Sequence, residues 1–207
     1  MKISMIGAGH IGGTLAKLLV TAGHEVALSN SRGPESLKSQ VADLGKSARA
    51  MTVQDAAAFG DVVILAAPWR MFEALPPPHL VAGTIVVDAM NPYGERGTIL
   101  DLGSSTSSEE TAKRLPGCRL VKAFNTIHYK HLEERGTSKK EDRITIFVAG
   151  DDEEAKSVVK RLIEAIGFAP FDTGSLREGG RKQQPGSPIY NKPMTLERAK
   201  EIFNSVK

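Results

Sequence analysis

The chain has 207 residues, 41% of them apolar and 25% charged, with 27 basic and 24 acidic side chains giving a net charge of +3. That is globular composition for one substantial domain; the basic residues are interspersed with acids and lack interleaved aromatics, which argues against nucleic-acid binding, and no run approaches the roughly 20 apolar residues of a membrane span. Cys118 is the only cysteine, which excludes a disulfide framework and a cysteine-ligated metal cluster; together with a glycine-broken N-terminus lacking a cleavage-site pattern, it leads to the expectation of a soluble, cytoplasmic protein.

Taken in chain order, "KISMI" (2–6) predicts a strand and "IGGTLAKLLVTAG" (11–23) a helix that stops at Gly23. Further short β-rich runs follow in "EVALS" (25–29), "SARA" (47–50), "VVILAA" (62–67), "TIVVDA" (84–89), "RLVKAF" (119–124), "ITIFVA" (144–149) and "APFD" (169–172). "LPPPHL" around Pro76, Pro77 and Pro78 cannot be helix interior, so the crossover after the fourth strand is short and ends extended. A helix is predicted over 107–115, with Ser107 and Glu110 as a capping box. Another covers 151–167, with acids in its first turn, apolar Val158, Val159, Leu162 and Ile166, and Gly167 at its end. The Gly- and Pro-rich stretch from Gly174 to Pro193 reads as a long loop before a last helix over 195–206. Alternation of these elements implies an α/β fold with helices on both faces of a sheet.

Gly7, Gly9 and Gly12 in "IGAGHIGG" lie between the first strand and the first helix, the context in which G-x-G-x-x-G is a dinucleotide fingerprint. The segment Gly7, Ala8, Gly9, His10, Ile11, Gly12 would turn tightly, admit a pyrophosphate to the backbone and offer it the free N–H groups of a helix start. His10 is read as a neighbour of the coenzyme. About 20 residues on, where an NAD-selective protein carries an acid, this chain reads "SNSR": Asn30, Ser31 and Arg32 would accept a 2'-phosphate instead, with Lys38 as a second cation, so the coenzyme expected is NADP(H). The fold class is thus a three-layer Rossmann fold, a mostly parallel, doubly wound sheet of about eight strands. Residues 1–176 would be the NADP-binding domain and 177–207 a C-terminal loop and helix completing or covering the acceptor site.

Ligands bind outside the carboxyl ends of the strands of such sheets, and these ends carry Ala67-Pro68-Trp69, Asn91-Pro92 and the turn Asn125-Thr126-Ile127-His128. None of Tyr93, Tyr129 or Tyr190 has a lysine four residues on, and the five histidines show no metal-binding spacing. With no catalytic acid or metal indicated and no second substrate domain, reduction of a flat ring by stacking suits the chain better than carbonyl reduction.

The ordered set "IGAGHIG", "SNSRGPESL", "AAPW", "VKAFNTI", "VAGDDEEAKSVVKRL" and "FAPFDTGSL" resembles the NADP oxidoreductases of the deazaflavin coenzyme F-420, and the related NADPH-binding domain of six-transmembrane metalloreductases, over roughly residues 1 to 176. The resemblance implies that Gly7 to Gly12 and Ser31-Arg32 hold NADP(H), that Pro68-Trp69 and Pro92 border the nicotinamide, and that Asn125, Thr126 and Ile127 touch the acceptor ring. It also implies a homodimer passing hydride directly to a deazaflavin or flavin, without a protein acid or base. The polar C-terminal stretch, with Arg177, Arg181 and Lys182, departs from that family's apolar closing helix. Two rival functions stay open: an NADPH-supplying module for a ferric or cupric reductase, and an NADPH-binding redox sensor.

Overall fold

The computed structural model describes residues 1–136 and 139–205. In chain order it contains β1 (Lys2–Ile6), α1 (His10–Thr21), β2 (Glu25–Ser29), α2 (Lys38–Leu44), β3 (Ala48–Ala50), α3 (Val53–Phe59), β4 (Val62–Leu65), β5 (Ile85–Asp88), α4 (Ser107–Arg114), β6 (Arg119–Ala123), α5 (Tyr129–Glu134), β7 (Thr145–Gly150), α6 (Glu153–Ala165), β8 (Ala169–Gly174), α7 (Glu178–Lys182) and α8 (Leu196–Ser205). The eight strands form one sheet in the order β3-β2-β1-β4-β5-β6-β7-β8. Every pairing is parallel except β6 with β7, so β7 and β8 run against the other six. The order reverses between β1 and β4, and a crevice opens at that switch point.

Strand side chains alternate between faces, and both faces here are covered, so the central strands are apolar at consecutive positions. In β4, Val62 and Ile64 enter one core with Leu15 and Leu19 of α1 and Val159 and Ile163 of α6. Val63 and Leu65 enter the other, with Ala56 and Ala57 of α3, Leu75 and Leu115. This makes the three layers expected from the sequence.

Some boundaries differ from expectation, for local reasons. The α1 helix ends at Thr21, and Gly23, at φ 86°, carries the chain away from it. The capping box of α4 is Thr106 with Glu109, one residue before the expected Ser107 and Glu110: Thr106 Oγ1 accepts from the Glu109 N–H at 3.1 Å, and Glu109 Oε2 accepts from the Thr106 N–H at 2.7 Å. Ser107 and Ser108 are instead drawn inward to Lys122 and Asp88, while Glu110 pairs with Lys113 at 2.6 Å. The stretch after Gly174 holds the short helix α7, which lies so close to β8 that a Cβ on Gly179 would come 2.6 Å from the Thr173 carbonyl oxygen. Finally, α8 buries Ala199 against Phe147 and Ile189; Val206, assigned to the last helix on sequence, lies outside the described residues.

Candidate functional site

The turn from β1 into α1 is shaped by what cannot fit. Gly7 adopts φ 109°, and a Cβ there would meet the Ala66 carbonyl carbon at 2.6 Å; a Cβ on Gly12 would sit 1.9 Å from the Gly7 carbonyl oxygen. Gly9 is the opposite case, since a Cβ there would meet nothing within 4 Å. It occupies the N-cap of α1 and supplies no side-chain cap, so the first-turn N–H groups remain available to an anion. These features fit a dinucleotide pyrophosphate: open space over Gly9 and a helix start without its own acceptor.

A cavity of about 740 Å³ runs over this turn, within the range of cofactor pockets. Gly7 through Ile11, Asn30, Ser31, Arg32, Ala67, Pro68, Trp69 and Asn91 line it, so the structure gathers the sequence-predicted coenzyme residues from four loops into one surface. Gly12 and Pro92 do not line it: the first packs helix on turn, and the second is buried. At the end of β2, Asn30 Oδ1 accepts from the Arg32 N–H at 2.9 Å and from Ser36 Oγ at 3.2 Å, which fixes the loop presenting Ser31 and Arg32. Arg32 is exposed, and no protein partner engages its guanidinium among the described residues. Lys38 does not line the cavity and pairs with Glu35 at 2.5 Å.

At the other end, Trp69 heads a 3-10 turn and packs on Phe72 at 4.7 Å between ring centroids. His10 lies at the cavity edge with its ring stacked on Tyr129 at 4.3 Å. Tyr93, Gly94 and Gly97 complete this wall. The Tyr93 and Tyr190 hydroxyls are 2.9 Å apart, and Asn91 Nδ2 donates to Tyr190 Oη at 3.3 Å. Burial first, then the bond to Tyr93, holds the Tyr190 phenol well above its ordinary pKa.

Asn125, Thr126 and Ile127 are at the carboxyl end of β6, but they are only 4%, 4% and 8% exposed and do not line the cavity. The C-terminal segment covers them: Asn125 Nδ2 donates to the Gln183 carbonyl at 2.8 Å, and the Asn191 N–H donates to the Thr126 carbonyl at 2.8 Å. Contact between these three and an acceptor would require residues 183–191 to move aside. Of the basic residues in this region, Arg181 donates to the Ser104 carbonyl and Lys182 lies 4.4 Å from the centre of the Phe203 ring.

Sequence reasoning missed a buried ion pair behind the cavity floor. Asp88 and Lys122 are direct partners in the β5–β6 register, both fully buried, with Lys122 Nζ 3.1 Å from Asp88 Oδ2. Lys122 also donates to the Met90 carbonyl at 2.5 Å, and Asp88 Oδ1 accepts from the Met90 N–H at 3.0 Å, so the pair clamps the backbone that carries Asn91. Burial pulls the Lys122 ammonium below its ordinary pKa against the opposing pull of Asp88. A single opposite charge in each of two otherwise apolar runs, "IVVD" and "LVKA", was the available signal. Among the described residues, no group of three or more His, Cys, Asp or Glu could hold a metal, and no helix is long and apolar enough to cross a membrane.

Residues 2–92 match the family described as "NADP oxidoreductase coenzyme F420-dependent". The chain is 32% identical over 177 residues to the metalloreductase STEAP3 of Rattus norvegicus, a match covering 84% of this chain but only 34% of that protein, so the chain spans about a third of that relative's length. Among solved structures, a hypothetical protein (SMa0349) of Sinorhizobium meliloti superposes with a TM-score of 0.84 at 34% identity, covering 94% of this chain and 95% of the other. A candidate F420-dependent NADP-reductase of Arthrobacter sp. fb24 superposes with a TM-score of 0.77 at 24% identity, over 94% and 99% of the two chains, and shares the fold.

Proposed function

We propose, from the match of residues 2–92 to the coenzyme F420-dependent NADP oxidoreductase family, that the chain transfers hydride between NADP(H) and a flat redox coenzyme, a deazaflavin or flavin. The observation that carries this reading is the switch-point cavity, with open space over Gly9 at one turn and the carboxylate-free Ser31-Arg32 at the next. Bound NADP(H) would supply the hydride. Gly7 through Ile11 would hold the pyrophosphate through backbone N–H groups, and Ser31 with Arg32 would bond the 2'-phosphate, where an acid would repel it. Pro68, Trp69 and Asn91 would border the nicotinamide and limit water around it. Trp69, Tyr93 and Gly97, on the same wall, are the surface offered to the acceptor ring. No protein acid or base is assigned to the hydride step, which relies on holding two flat rings together.

Anaerobic NADPH oxidation with a deazaflavin, FMN and FAD offered in parallel, and NADH as control donor, tests the proposal. Turnover with one of these acceptors and little with NADH is expected; no turnover with any of them would reject it. Assembly as a homodimer in the cytoplasm is part of the proposal and rests on the resemblance, and sedimentation of the purified chain tests the dimer. A second reading is favoured by the likeness to STEAP3: a module that supplies NADPH electrons to metal reduction through a separate partner. NADPH-driven, flavin-dependent ferric reduction would distinguish it.

A further inference from the structure

A second cavity, of about 640 Å³, adjoins the first and shares Asn30, Ser31, Val53 and Ala74 with it. Pro77, Pro78 and Arg114 contribute to its wall, bringing the last residue of α4 to a space that also touches the loop after β2. Arg114 is half-buried, and its Nε is fully buried with no hydrogen-bond partner. No ion pair or hydrogen bond reaches its guanidinium among the described residues, although Glu73 lines the same cavity. Three other arginines are paired with acids, Arg119 with Asp152 and Glu154, Arg49 with Glu25 and Arg198 with Glu201, whereas Arg114 combines a buried Nε with no acid partner. The carbonyl end of α4 favours a cation nearby but gives Nε no acceptor. An unpaired buried donor is costly, and such groups in folded proteins call for a specific explanation.

We propose that Arg114 is a second recognition arginine, besides Arg32, for the phosphorylated adenosine end of the dinucleotide, donating to it from the wall of the second cavity. The inference rests on the reading of the first cavity as the NADP(H) site. Ser31 belongs to both cavities, so a 2'-phosphate bonded there lies where the two spaces meet. Arg32 approaches from the exposed loop after β2 and Arg114 from the wall of the second cavity, where its terminal guanidinium nitrogens, unlike the buried Nε, are open to an incoming anion. This makes Arg114 a specificity residue far in sequence from the glycine fingerprint and from "SNSR".

Calorimetric titration of the full chain with NADP+, NAD+, 2'-AMP and 5'-AMP, for the natural protein, Arg114→Met and Arg114→Lys, tests this, with thermal unfolding of each ligand-free protein alongside. Arg114→Met is expected to weaken NADP+ binding at least tenfold while leaving the ligand-free melting temperature unchanged or raised, because it removes an unpartnered charge. Arg114→Lys, which keeps the charge but loses the planar guanidinium fork, is expected to fall between. A loss for NADP+ and 2'-AMP alone assigns the bond to the 2'-phosphate and upholds the proposal; an equal loss for all four ligands shows no discrimination and overturns it. Unchanged NADP+ affinity in both variants overturns it, as does a lowered ligand-free melting temperature with affinity retained. If the natural protein binds no NADP+, the cavity reading fails and the inference with it.

Discussion

Asn91 and Asn125 hold each other across the carboxyl ends of β5 and β6: Asn91 Nδ2 donates to the Asn125 carbonyl at 2.9 Å, and Asn125 Nδ2 donates to Asn91 Oδ1 at 3.1 Å. Both amide orientations are fixed, since each Nδ2 also faces a backbone carbonyl, that of Asn125 itself or of Gln183. Asn91 lines the cavity and Asn125 anchors the C-terminal segment, so the exchange ties the site to the chain's end. Asn125→Ala should destabilise the protein by about 1–3 kcal/mol in urea unfolding, the cost of leaving buried partners unpaired, and should speed amide exchange over residues 183–191. An unfolding midpoint equal to that of the natural protein would contradict this role.

The Asp88–Lys122 pair makes a second prediction. Lys122→Met leaves a buried carboxylate with only Ser108, Thr111 and the Met90 N–H to solvate it, which should cost about 3–5 kcal/mol. Adding Asp88→Leu should recover part of that loss, because an apolar pair replaces an unpaired charge. Denaturant unfolding of the single and double variants checks both statements; a single variant as stable as the natural protein would refute the first, and a double variant no better than the single would refute the second.

Cys118 gives a pH prediction. Burial pushes its thiol from the ordinary 9.0 up to about 11. The unfolded thiol therefore loses its proton first, and its contribution to stability falls as pH rises above about 9. At pH 8 iodoacetamide should label the native protein far more slowly than the urea-unfolded protein. Equal labelling rates would show that the thiol is not sheltered.

Much of this architecture was legible because each signal was local. The consecutive apolar residues of β4 and β5 reflect strands covered on both faces, and Gly7 and Gly12 occupy positions where a Cβ would strike backbone. What escaped depended on distant residues. Nothing in "ITIFVA" tells its direction, and β7 pairs antiparallel to β6 only because of how the intervening chain returns. The Ser107–Glu110 capping box was displaced by one residue because Asp88 and Lys122, on two other elements, recruit Ser108 and Ser107. Asn125 stands at a strand end where ligands bind, yet its burial is decided by Gln183, which lies 58 residues along the chain. Arg114 carried no motif at all; only the fold brings it to a cavity that Ser31 also lines.

The carboxylate-free end of β2 is the centre of the account, and binding measures it most directly. Titrating the natural protein and Arg32→Asp with NADPH and NADH should show NADPH bound at least tenfold more tightly by the natural protein. In the variant that preference should vanish, with NADH affinity changed little. Equal affinity of the natural protein for both coenzymes, or equal losses of both in the variant, would contradict the assignment of Ser31 and Arg32 to the 2'-phosphate.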